Sequence, residues 1–123
     1  METTTKTILL IEDELLLCWT LEEALAARGY DTVIATTGEA GLAAIEGPVH
    51  YDAVVTNIRL SGGPDGWALA RRARELHPEV AVVYVSGDSA VDHPAQGVPG
   101  SLMLSKPFEP VQIQGALQRL LRT

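Results

Sequence analysis

Glu12 and Asp13 directly follow a short apolar run, Thr7–Ile11. Asn57 follows another at 53–56, Ser86 another at 80–85, and Lys106, with Pro107 behind it, another at 102–104. Polar residues of these types at the ends of apolar runs suggest a site. If the runs are parallel strands of one sheet, all five side chains converge beyond one sheet edge, where open α/β sheets carry their ligands. Two carboxylates suit Mg²⁺, a hard cation that takes oxygen ligands and keeps several waters. A lysine and a hydroxyl facing such an ion could take the remaining oxygens of a phosphoryl group. Plainer roles exist for each residue. Glu12 and Asp13 could be solvated at a helix start, and Lys106 a surface lysine. Ser86 could cap a turn with Gly87, and Asn57 could be a loop residue in the left-handed region.

The elements that must hold these residues are legible from periodicity. Thr7–Ile11 is continuous and β-prone, and Leu17, Leu21, Ala24 and Leu25 behind it fall on one helical face, with Gly29 at the expected C-terminal cap. On this spacing Cys18 and Trp19 lie off the core face. A second strand is predicted at 32–35. Thr36 or Thr37 can cap the next helix, Thr36 with Glu39 having capping-box spacing, and Gly47-Pro48 stops it. The third run, 53–56, leads through Ser61-Gly62-Gly63-Pro64-Asp65-Gly66 into a helix faced by Leu69, Ala73 and Leu76. Its Arg71, Arg72 and Arg74 read as a solvated face or part of a partner-docking surface. The fourth run, 80–85, is followed by a segment holding Pro94, Gly97, Pro99 and Gly100, where at most a short or irregular helix fits. The fifth run leads into a helix with Ile113, Leu117, Leu120 and Leu121 inward and Pro110 near its first turn. Five β-then-α units imply a doubly wound α/β fold, (βα)5, with one five-stranded parallel sheet covered on both faces.

Composition narrows the function classes. The 123 residues suit a single domain over 1–123, and 46% hydrophobic with 20% charged residues argues against disorder. Nine Lys and Arg against sixteen Asp and Glu give −7, which disfavours nucleic-acid binding through phosphates. One cysteine cannot form an internal bridge and suits a reducing cytoplasm. No apolar run is long enough to span a bilayer, and the polar start, residues 1–6, has no apolar signal region. His50, His77 and His93 have no metal-ligand spacing, and Gly62, Gly63 and Gly66 do not form a dinucleotide-binding fingerprint. Trp19 reads as partly packed or as a partner contact.

The ordered set Glu12-Asp13, position 57, Ser86 and Lys106-Pro107 resembles the receiver domains of two-component response regulators over essentially the full chain. The resemblance implies a flavodoxin-like sheet of order 2-1-3-4-5 and a non-enzymatic, cytoplasmic signalling role. It implies a histidine kinase or histidine phosphotransfer protein as partner, with a possible downstream protein target. It also implies Mg²⁺ held by Glu12, Asp13, position 57 and the Arg59 backbone carbonyl, with Ser86 and Lys106 on the phosphoryl oxygens. A cis Lys106–Pro107 bond is part of the pattern.

The central residue departs from that pattern. Asn57 stands at the phospho-acceptor position, and a neutral amide cannot act as the carboxylate nucleophile that forms an acyl phosphate. Asn57 is either an engineered lock on an otherwise complete receiver or a natural variant, and an Asp codon in the genomic sequence would identify the first. The alternative function is a pseudo-receiver, a phosphorylation-independent protein-binding module. Met103 also replaces the aromatic residue often found three positions before the lysine, and Tyr84 is not assigned that switching role. With the irregular 88–100 segment, this puts standard switching in question. A small Mg²⁺-dependent phosphatase would need a nucleophilic Asp after the first strand and a second acid two residues on. Asp13 is followed by Glu14 and Leu15, the wrong spacing. The chain reads as a stand-alone receiver or one excised from a longer protein, since Thr123 comes soon after the last helix.

Overall fold

The computed structural model describes residues 5–121; residues 1–4 of the polar start, and Thr123, lie outside them. Strands β1 (Thr7–Ile11), β2 (Asp31–Ala35), β3 (Ala53–Asn57), β4 (Ala81–Ser86) and β5 (Leu102–Ser105) form one parallel sheet in the order β2-β1-β3-β4-β5. That is the expected order. β3 and β4 are buried along their whole length because helices cover both faces, whereas the edge strand β2 alternates exposed and half-buried residues. Asn57 and Ser86 are the last residues of their strands, so they are held by ladder pairing rather than by a loop.

Helices α1 (Leu15–Ala26) and α5 (Pro110–Leu121) cover one face, and α2 (Gly38–Glu46) and α3 (Gly66–Leu76) the other. On the first face Leu21, Leu25, Ile113 and Leu117 are fully buried against Ile8, Leu10, Val55 and Val83. On the second, Leu69, Ala70 and Ala73 lie in one cluster with Leu9, Val54, Val82 and Tyr84. Burying an aliphatic side chain of this size is worth about 1.5–3 kcal/mol, so these two layers hold the sheet edge in place.

Two local readings change, and one open alternative is decided. Cys18 belongs to the buried stripe of α1 with Leu21 and Leu25, and its thiol donates to the Glu12 carbonyl at 3.2 Å. The run Leu15-Leu16-Leu17-Cys18-Trp19 is apolar all round, so periodicity left the helix rotation ambiguous. Leu76 ends α3 exposed, and Trp67 takes the place in the core instead. Thr37, not Thr36, caps α2 by accepting from the Ala40 N–H at 3.0 Å.

The segment after β4 is irregular, as its prolines and glycines require: a 3₁₀ turn, Ala90–Asp92, and a single turn of helix, α4 (His93–Gln96). It is nonetheless tied down. The fully buried Tyr84 accepts from the Val98 N–H at 3.1 Å, and His93 Nε2 meets Ser101 Oγ at 2.9 Å. Trp67 packs on both rings, 4.7 Å from Tyr84 and 6.5 Å from His93 between centroids. A side chain at Gly97 would run into the His93 ring, so a glycine is needed there. The arginines of α3 are bonded rather than merely solvated. Arg74 donates to Val80 O (2.8 Å) and Pro99 O (2.7 Å), Arg71 to Gln96 O (3.4 Å), and Arg72 pairs with Glu46 and Glu75.

Candidate functional site

The carboxyl ends of β1, β3, β4 and β5 bring the candidate residues to one edge. Ile58 N–H donates to Val85 O at 3.2 Å and Lys106 N–H to Ser86 O at 2.8 Å, which locks three strand ends together just where the side chains are needed. Lys106–Pro107 is cis. α3 starts immediately under β3: the Gly66 N–H bonds Ile58 O, and a Cβ on Gly66 would collide with the Asn57 carbonyl oxygen. Glycine there is what lets the helix approach the strand so closely.

Glu12 is the hub. Its side chain has no exposed surface, yet three groups bond it: Oε1 accepts from Lys106 Nζ at 3.3 Å, and Oε2 from the Glu14 N–H at 3.0 Å and Asn57 Nδ2 at 3.5 Å. Burial pushes the Glu12 carboxyl above its ordinary value, and the Glu14 N–H and the Lys106 ammonium pull it back. Asp13 is exposed and turns to the neighbouring loop, where Oδ2 accepts from the Ser61 N–H at 3.3 Å. Asn57, 8% exposed, also donates through Nδ2 to the Arg59 carbonyl oxygen at 3.0 Å. The only positive φ values among the described residues belong to glycines, so Asn57 is not a left-handed loop residue. Ser86 is buried, and its Oγ accepts from the Asp88 and Ser89 N–H groups at 3.2 and 2.8 Å, so it also caps its own turn.

Asn57, Arg59, Ser86, Gly87, Asp88 and Lys106 line a cleft of about 320 Å³. Sequence reasoning did not single out Asp88, whose carboxylate meets the Arg59 guanidinium at 3.0 and 3.2 Å across this cleft. Arg59 and Ser89 hold its carboxyl below the usual range. The signal was weak: Asp88 stands two residues past a strand end, and its partner is on another loop.

The Glu12 and Asp13 carboxylates and the Arg59 carbonyl are hard oxygen donors of the kind Mg²⁺ takes. Asn57 presents nitrogen to Glu12 and Arg59, so it could join them only with its carboxamide turned to offer Oδ1. With that rotation the residues fit the ion.

Residues 8–118 match the family model described as the response regulator receiver domain. A response regulator receiver protein of Anaeromyxobacter sp. is 35% identical over 114 residues, covering 91% of this chain; the chain spans 44% of that protein's length. The crystal structure of a response regulator receiver protein from Sinorhizobium medicae superposes with a TM-score of 0.93 at 37% identity, covering 97% of this chain and 96% of that one. The receiver domain of the sensor histidine kinase PA1611 from Pseudomonas aeruginosa shares the fold, with a TM-score of 0.82 at 24% identity over 98% of this chain and 100% of that one. Its structure carries a magnesium ion in the active-site cleft. No described helix is long and apolar enough to cross a membrane.

Proposed function

Since this chain belongs to the response regulator receiver domain family, we propose that it serves two-component signalling as a receiver that a histidine kinase or histidine phosphotransfer protein recognises but does not phosphorylate at position 57. The observation that carries this is the Asn57 side chain: a neutral carboxamide, buried at the end of β3 and engaged through Nδ2, at the place where the pattern needs a carboxylate nucleophile. None of the three carboxylates nearby replaces it: Asp88, across the cleft, is paired with the Arg59 guanidinium. Glu12 is enclosed and paired with Lys106, and Asp13 is turned to Ser61.

The other parts suit a phosphoryl-sized anion at the cleft. Lys106, Ser86 and the Arg59 guanidinium are side chains there that can donate to its oxygens. Glu12, Asp13, the Arg59 carbonyl and the turned Asn57 carboxamide would hold Mg²⁺. When bound, that ion supplies positive charge against the carboxylates and the oxygens of an incoming anion. The chain then acts as a recognition domain rather than an enzyme, and a reducing cytoplasm keeps its buried Cys18 a thiol. A downstream protein target would read a fixed rather than a switched surface. The irregular segment after β4, pinned by Tyr84, Arg71 and Arg74, favours that reading.

Intact-mass spectrometry after incubation with acetyl phosphate and Mg²⁺ tests the proposal. The chain should show no added phosphoryl group, and the Asn57→Asp variant should show one. A stable phosphoryl adduct on the unaltered chain would overturn it, and so would identical behaviour of the two proteins.

A further inference from the structure

The Asn57 carboxamide does more than lack a nucleophile. Its Nδ2 points at two oxygens, Arg59 O at 3.0 Å and Glu12 Oε2 at 3.5 Å, which are two of the atoms that the same cleft would offer a divalent cation. Chemistry fixes this orientation. A backbone carbonyl can only accept. The Glu12 carboxylate is ringed by donors, the Glu14 N–H on Oε2 and Lys106 Nζ on Oε1, as an ionised group should be. Turning the amide over would set Oδ1 against a carbonyl and a carboxylate oxygen, lone pair against lone pair. Glu12 is inaccessible to solvent and Asn57 nearly so, which makes an unmet acceptor there costly.

We propose, building on the receiver reading above, that the Asn57 NH₂ group is a built-in stand-in for the divalent cation. It satisfies the Arg59 carbonyl and the Glu12 carboxylate, so the site is assembled and held in one form without an ion. Mg²⁺ must break both hydrogen bonds and turn the amide before it can bind. Whatever partner reads this edge of the sheet then meets the same surface in EDTA and in millimolar Mg²⁺.

The proposal reverses an intuitive order of affinities. If Asn57 serves a cation simply as a weak oxygen ligand, cutting it back to a methyl group lowers Mg²⁺ affinity. If its nitrogen competes with the cation, the same cut raises it. Calorimetric Mg²⁺ titrations at constant ionic strength should therefore rank Asn57→Asp tightest, Asn57→Ala next and the unaltered chain weakest. Asn57→Ala should bind about tenfold tighter than the unaltered chain, the worth of about one hydrogen bond. A second measurement needs no variant. In ¹⁵N-labelled protein with EDTA, the Asn57 side-chain NH₂ should exchange slowly with solvent and keep its chemical shifts in millimolar Mg²⁺. Asn57→Ala binding no tighter than the unaltered chain, or a freely exchanging Asn57 NH₂, would overturn the proposal while leaving the receiver reading intact. Failure of Asn57→Asp to bind Mg²⁺ would overturn both.

Discussion

Replacing Lys106 by Met keeps most of the side-chain stem and deletes the ammonium that lies 3.3 Å from Glu12 Oε1. Attraction between unit charges at that distance is about 5 kcal/mol at an effective dielectric of about 20. Breaking a fully enclosed pair costs about 3–5 kcal/mol, because one charge is left buried alone. Here Lys106 is 25% exposed, and the Glu14 N–H and Asn57 Nδ2 remain on the carboxylate. The expected loss is therefore smaller, about 2 kcal/mol at about pH 8. The pH dependence has a definite sign. Burial already holds the folded Glu12 carboxyl above its ordinary value, and the lost ammonium was pulling it down. In the variant the folded value rises further while the unfolded value stays at about 4.3. A carboxyl whose folded value lies above its unfolded one costs nothing below the unfolded value, and the cost grows as pH rises towards the folded value. Urea melts of both proteins at about pH 5 and about pH 8 should show the gap widening with pH. A gap independent of pH, or one below about 0.5 kcal/mol at the higher pH, would refute the claim that Lys106 compensates a buried, ionised Glu12.

In EDTA, Asn57→Asp should be less stable than the unaltered chain by about 1 kcal/mol or more, since it exchanges two donor contacts for a like charge beside Glu12; saturating Mg²⁺ should narrow or reverse that gap in urea melts. Tyr84→Phe should lose about 1–3 kcal/mol by leaving the buried Val98 N–H without an acceptor, and amide exchange should quicken at Val98 before it does in β3. Gly66→Ala sets a methyl group against the Asn57 carbonyl and Ile58 Cα; thermal melts should show a loss of about 1–3 kcal/mol, together with shifted Asn57 amide resonances.

Residue pattern alone determined the βα alternation, the parallel sheet and the residues at its carboxyl edge. Doubly buried strands such as Ala53–Asn57 and Ala81–Ser86 appear as unbroken apolar runs, and the polar residue that ends each run marks the edge. The irregular 88–100 segment was equally legible, because proline and glycine act through local backbone limits. That residue 57 carries an amide needed no coordinates either.

Tertiary structure decided which atoms meet. Cys18 lies inward and Leu76 outward because the rotation of a helix is set by what it packs on, and an all-round apolar run such as 15–19 leaves that choice to its neighbours. The bonds of Asn57 and Lys106 to Glu12 join residues 45 and 94 positions apart, and the Arg59–Asp88 pair joins two loops. Periodicity describes one element at a time. The direction in which Asn57 presents its nitrogen depends instead on two acceptors, one from β3's own following loop and one from beyond β1, and these come together only when the sheet is assembled.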